Sequence, residues 1–203
     1  MFIPVQLLAY SIVADAKEKS MSILAESSAT VIPAGTWSID PVWSSLEFEV
    51  KKLGLFTVKG RVPGFSGTIA GGESPTIEGA VDATSITTFD DTRDEHLQSP
   101  EFFDTQRYPE LHFSSSSVEL VGDELVVQGD LTIKGVTKPV ELTGSYSGAA
   151  NDPWGNERIG LQLEGTVDRT AFGLEWNAPV PGGGFLLPSD VQLTAYFAAV
   201  RAS

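Results

Sequence analysis

The stretch Leu125-Val126-Val127-Gln128-Gly129-Asp130-Leu131-Thr132-Ile133-Lys134 decides the fold, because its apolar residues recur at every second position. Leu125, Val127, Gly129, Leu131 and Ile133 share one face of an extended chain, and Val126, Gln128, Asp130, Thr132 and Lys134 share the other. One face is dry and one wet, the usual condition of an antiparallel strand. The same period runs through Leu46, Phe48 and Val50, and through Val140, Leu142, Gly144 and Tyr146. It returns in Ile159, Leu161, Leu163, Gly165 and Val167, and finally in Val191, Leu193, Ala195, Phe197 and Ala199. Turn residues stand between these runs at Gly71-Gly72, Gly122-Asp123, Gly135 to Pro139 and Asn151 to Asn156, so neighbouring strands are expected to form hairpins.

Long strands with one apolar face either pair as a sandwich or close as a barrel. Glycines inside the strands, at positions 129, 144 and 165, relieve crowding where a closed sheet bends, and favour the barrel. The fold expected is all-β, an extended antiparallel β-barrel with one capping helix. That helix is expected at Thr92–Asp104, the only strongly helical segment in a strand-rich chain. A lone helix must bury its apolar side against the sheet, which points Leu97, Phe102 and Phe103 inward. Arg93, Asp94 and His96 then have two readings. They form a polar cluster that fixes the helix, or Arg93 or His96 meets a ligand head group.

Composition narrows the function. The 203 residues suit one all-β domain, and 13 basic against 27 acidic residues give a formal charge of −14, which repels nucleic acid and anionic lipid surfaces. With no cysteine there are no disulfides, thiolate metal sites or cysteine nucleophiles. The chain has two histidines, no Gly-x-Ser-x-Gly elbow, no phosphate loop and no His-Glu-x-x-His pair, so an enzyme is not expected. His112 alternates with Leu111 and Phe113 and belongs on the outer face. The acidic group Asp90, Asp91, Asp94 and Glu95 lacks the spacing of a calcium loop and reads as a solvated face. No metal is expected.

Residues 1–34 read as an N-terminal extension and 35–203 as the barrel domain. The apolar run Phe2–Val13 is followed by Ala14-Asp15-Ala16, which resembles a signal cleavage site, yet no lysine or arginine precedes it. A start at Met21 makes the protein cytoplasmic; a working signal in residues 1–16 makes it periplasmic or secreted. The cytoplasmic reading is the expectation.

Several linked motifs carry a resemblance. They are Trp37-Ser38-Ile39-Asp40-Pro41 with Ser44, Arg93-Asp94-x-His96-Leu97, Phe102-Phe103-Asp104, Tyr108-Pro109 and Phe113, then Gly129 through Val140, and Asp168-Arg169-Thr170-x-Phe172-Gly173-Leu174. In this order the chain, from about Gly35 to Val200, resembles the YceI-like family. The resemblance implies a lipocalin-like barrel that binds polyisoprenoid chains or related amphiphiles, and it implies homodimers. The family pattern departs at Trp43, where a histidine is usual, and at Val50-Lys51-Lys52, where Val-Lys-His is common. Trp43 is either a rim or core aromatic or a residue that narrows the cavity mouth.

Alternation and aromatic content nominate the lining: Phe48, Val50, Phe65 and Leu97, then Phe102, Phe103, Leu131 and Ile133, and last Leu163, Phe172, Trp176 and Phe197; Trp43, Arg93 and His96 join them as ligand-binding candidates on the second of the readings given for each above. The segment Asn177–Leu187 is either a gate or a long hairpin connection. No cofactor is expected beyond a bound isoprenoid-type lipid. The expected partner is a hydrophobic small molecule, with transient membrane contact to load it. The alternative is a closed barrel, structural or stress-responsive, acting through protein contacts. Burying a five-carbon isoprene unit yields roughly 3–4 kcal/mol at about 0.8 per CH₂. Eight units would sum to roughly 25–30 kcal/mol, above the ceiling of about 21 kcal/mol for non-covalent binding. The competing state is a membrane as apolar as the barrel, so the net preference is small and suits a carrier.

Overall fold

The computed structural model describes residues 31–202. The expectations for the apolar run Phe2–Val13, the cleavage site and a Met21 start lie outside the described residues. Ten strands form the sheet: β1 (Gly35–Ile39), β2 (Ser45–Lys52), β3 (Phe56–Arg61), β4 (Phe65–Gly71), β5 (Thr76–Asp82), β6 (Glu110–Val121), β7 (Glu124–Ile133), β8 (Val136–Asn151), β9 (Glu157–Asp168) and β10 (Asp190–Arg201). Their order is β1-β4-β5-β6-β7-β8-β9-β10-β2-β3, and β1 also pairs with β10, which closes the ring.

The ring has eight staves because four of the strands join end to end. β1 pairs with β4 from Gly35↔Gly71 to Ser38↔Thr68, and β2 with β3 from Glu47↔Arg61 to Lys52↔Phe56. Residues 35–71 are therefore one long hairpin, kinked at 40–44 and 62–64. β10 runs along its outer edge, opposite β1 at Trp37↔Arg201 and opposite β2 at Ser45↔Tyr196. The Asp40-Pro41 and Ser44 motif makes the kink. Asp40 accepts from the Val42 amide at 3.0 Å, and the Ser44 hydroxyl takes the Ala198 amide at 2.9 Å, so β10 keeps its ladder satisfied where the partner strand bends away.

The alternation read from the sequence holds along β7, where Leu125, Val127, Gly129 and Ile133 are buried while Gln128 and Asp130 are exposed. The strand glycines give room for close approach. A Cβ at Gly129 would stand 2.6 Å from the Phe113 ring, one at Gly165 2.5 Å from Leu142, and one at Gly144 1.9 Å from the carbonyl oxygen of Gln162.

Two expectations about elements are corrected. The turn placed at Gly135–Pro139 is the pair Lys134-Gly135, both at positive φ, and Pro139 lies inside β8. The β8–β9 register begins only at Thr143, so Pro139 sits where β8 is bonded along one edge, as a strand proline requires. The helix, α1 (Asp91–Gln98), is shorter than the expected Thr92–Asp104. Pro100 drives Ser99 into an extended conformation (ψ 165°) and ends it. α1 buries none of its residues, and the apolar seal comes from the turns that follow, where Phe102 is 7 % exposed.

The core is divided. At one end Trp37, Ile69, Leu125, Val127, Ile159 and Leu161 pack the barrel solid, joined by Ile32, which is fully buried, so packing begins ahead of β1. At the other end two smaller clusters, around Phe102 and Phe172 and around Val62 and Ile86, stand along the walls instead of filling the middle.

Candidate functional site: a cavity beneath the lid helix

Between the solid plug and α1 lies a cavity of about 660 Å³. Its walls are the inner residues of the strands, among them Phe48, Val50, Phe65, Leu131, Leu163 and Phe197. Ile133 joins them, and Arg93, His96, Leu97, Phe102, Phe103 and Trp176 close over the top. The nominated residues therefore converge on one space, with two exceptions. Trp43 is half exposed on the outer surface, with its ring beneath the Arg158 guanidinium at 4.4 Å and edge-on to Trp154 at 6.2 Å. Phe172 is buried but off the lining, because it sits on the short 3-10 turn Arg169–Phe172 after β9 and packs behind the wall with Val167 and Leu174.

The lid is fastened by polar chemistry. Asp90 caps α1 by accepting from the Arg93 amide at 2.9 Å. Asp94 accepts from Thr87 Oγ1 at 2.6 Å and from the Thr88 amide at 2.7 Å, while Arg93 Nε donates to Thr88 Oγ1 at 2.6 Å and Arg93 Nη2 to the Thr88 carbonyl at 2.8 Å. Partial burial would raise the Asp94 carboxyl, but these hydrogen bonds and the neighbouring guanidinium outweigh it and hold the pKa below the usual value. Arg93 and Asp94 thus form the helix-fixing cluster. His96 stands apart: its Nε2 pairs with Glu101 Oε2 at 2.5 Å, and its ring meets Phe102 at 5.0 Å and Trp176 at 4.8 Å, both edge-on. His112 is exposed on the outer face beside Glu110 at 3.5 Å, and no cluster of metal-ligating side chains occurs among the described residues.

Asn177–Leu187 folds as a small hairpin of its own. The Asn177 side chain bridges its base, donating to the Leu187 carbonyl at 2.7 Å and accepting from the Leu187 amide at 2.9 Å. Leu186 and Leu187 line the cavity, and the Leu53 amide in the β2–β3 turn donates to the Leu186 carbonyl at 2.9 Å, tying the two tips together at the mouth.

A profile of the YceI-like domain matches residues 37–199. The chain belongs to the YceI-like family. The protein YceI of Escherichia coli O157:H7 is 39 % identical over 134 residues, covering 64 % of this chain and 70 % of that one. A UPF0312 protein of Pectobacterium atrosepticum is 35 % identical over 159 residues, covering 76 % and 83 %. Among solved structures, Burkholderia cenocepacia BcnA superposes with a TM-score of 0.64 at 19 % identity, over 79 % of this chain and 98 % of that one. A polyisoprenoid-binding domain from Saccharophagus degradans gives 0.61 at 18 % identity, over 82 % and 98 %. At those identities the two solved structures share the fold, and that fold is the YceI-like barrel.

The sequence left some of the lining unnamed. Leu186 and Leu187 come from a loop, where no period marks an inward position, and Val62 and Ile86 follow kinks that break the count. Arg169 also lines the cavity. Its place in Asp168-Arg169-Thr170 marked it as part of a family motif, but a charged residue beside the β9 terminus carries no sign of burial in the sequence.

Proposed function

We propose that this YceI-like barrel binds a long apolar lipid of the polyisoprenoid class in its cavity, without turnover, and carries it between membranes. The observation that carries the reading is the cavity itself. A barrel packed solid at one end and open over about 660 Å³ at the other leaves apolar walls without partners, and that volume falls within the roughly 300–1,000 Å³ of small-molecule sites. The polyisoprenoid-binding domain of Saccharophagus degradans, which shares the fold, supports the choice of lipid class.

The mouth supports membrane contact. Leu53 and Leu55 on the β2–β3 turn, Phe56 at the start of β3 and Phe185 on the 177–187 hairpin are exposed, as clustered large apolar residues rarely are without a partner. Lys51 and Lys52 lie on the same strand tip of an otherwise acidic chain. Such a rim lets the mouth face a bilayer while the acidic body stays in water.

The test is native mass spectrometry with organic extraction of protein purified without detergent, alongside Leu131→Trp. Prenylated mass on the native protein, lost in a folded Leu131→Trp variant, supports the reading. Protein that stays empty after incubation with isoprenoid quinones overturns it and turns attention to a protein partner.

A further inference from the structure

Arg169 is 7 % exposed, and it is the one buried charged side chain on the cavity wall among the described residues. Its guanidinium sits beneath the mouth loop. Nε donates to the Pro188 carbonyl at 2.9 Å, and Nη1 donates to the Leu174 carbonyl and, at 3.0 Å, to the Trp176 carbonyl. Every acceptor is a neutral backbone oxygen. Among the described residues no carboxylate comes within ion-pair distance of it, and Nη2 has no hydrogen-bond acceptor. Asp168, next in the chain, spends its carboxylate on capping the 3-10 turn, accepting from the Thr170 amide at 2.9 Å and the Thr170 hydroxyl at 2.6 Å, and acts on Arg169 only as a neighbouring charge beyond ion-pair distance.

A buried guanidinium is ordinarily matched by an anion, because carbonyl dipoles solvate its donors but leave its net charge uncompensated. Arg93, the other arginine on the wall, is only half-buried and keeps water to balance its charge. Arg169 has a cavity instead.

We propose that Arg169 anchors the head group of the cavity ligand, and that this head group is an anionic oxyacid, a carboxylate or a phosphate, on an apolar tail. This rests on the lipid-binding reading above and adds the chemistry of the ligand's polar end. Two features place the head group near the mouth. Arg169 follows directly on the C-terminal end of β9, and its bonds to Leu174, Trp176 and Pro188 lie in the loop that roofs the cavity. The tail then runs down the barrel past Val167 and Leu163 toward the plug. The free Nη2, with its two N–H donors, suits an anionic oxygen of such a head group. A neutral head group would leave the charge as it stands.

The experiment compares tail-matched ligands on the full chain by isothermal titration: farnesyl phosphate against farnesol, and palmitate against hexadecanol. The native protein should bind at least one anion tenfold or more tighter than its alcohol, and whichever pair shows the preference names the phosphate or the carboxylate. Arg169→Gln should erase the preference, and Arg169→Lys should retain part of it. Equal affinity for anion and alcohol in the native protein overturns the proposal without needing any variant to fold. A preference that survives in folded Arg169→Gln overturns it too. Failure of all four compounds to bind overturns the lipid reading itself, and the head-group assignment with it.

Discussion

The carboxylate of Asp94 accepts a hydrogen bond from the amide of Thr88 at 2.7 Å, and this contact ties the lid helix to the extended segment that follows β5. The same carboxylate also takes the hydroxyls of Thr87 and Thr88. α1 buries no residue, so its attachment rests on this carboxylate and on Arg93 more than on apolar packing.

Asp94→Asn should therefore loosen the lid before it weakens the barrel. An amide accepts fewer of these bonds and removes the charge, and hydrogen bonds to charged groups contribute about 1.5–3 kcal/mol. Amide hydrogen exchange should rise across α1 while β7–β9 keep their protection, and bound ligand should exchange faster.

The pH dependence has a definite sign. The folded pKa of Asp94 lies below the unfolded value of about 3.9, so its stabilisation is complete above about pH 5 and is lost as pH falls through the folded pKa. The gap in urea midpoint between native protein and Asp94→Asn should be full at pH 7 and should close below about pH 4. A gap that stays the same as pH falls through the acid range would contradict the assignment.

Gly144→Ala and Gly148→Ala separate two kinds of glycine. A Cβ at Gly144 would lie 1.9 Å from the Gln162 carbonyl oxygen, which neither strand can yield without breaking the β8–β9 ladder, so a loss of about 3 kcal/mol or more is expected. Gly148 has open space around it but a φ of +80°, and alanine there should cost only about 1–2 kcal/mol of backbone strain. Chemical denaturation of the two variants checks the order.

Trp43→Ala should leave ligand uptake unchanged. The ring stacks under Arg158, whose guanidinium also bonds Asp40 and Asp152 at 2.8 Å each, and none of these residues lines the cavity. A slight drop in thermal midpoint with native lipid occupancy is the expected result. A drop in occupancy would return Trp43 to the mouth.

The site was legible to the extent that it follows strand period. Phe48, Leu131, Leu163 and Phe197 could be assigned an inward direction from alternation alone, and all four line the cavity. Phe172 broke the reading because it sits on the turn after β9, where side-chain direction no longer follows the count, while Trp43, in the 40–44 kink, took the first of its two readings, an aromatic outside the cavity. Helix length was misjudged because helix-forming composition around Thr92–Asp104 outweighed the one residue, Pro100, that forbids continuation.

The chain carried in its own letters the strands, their wet and dry faces, the closure into a barrel and the family, because these depend on a local period and on motifs in order. Whether the inner faces meet or leave room could not be read there. A filled core and a hollow one have the same alternation, and the difference lies in how kinked staves and a short lid space their side chains across the barrel. The burial of Arg169 belongs to the same class of fact. It arises only when the segment from Leu174 to Pro188 folds back over the end of β9 and surrounds one guanidinium with carbonyls while supplying no counter-charge.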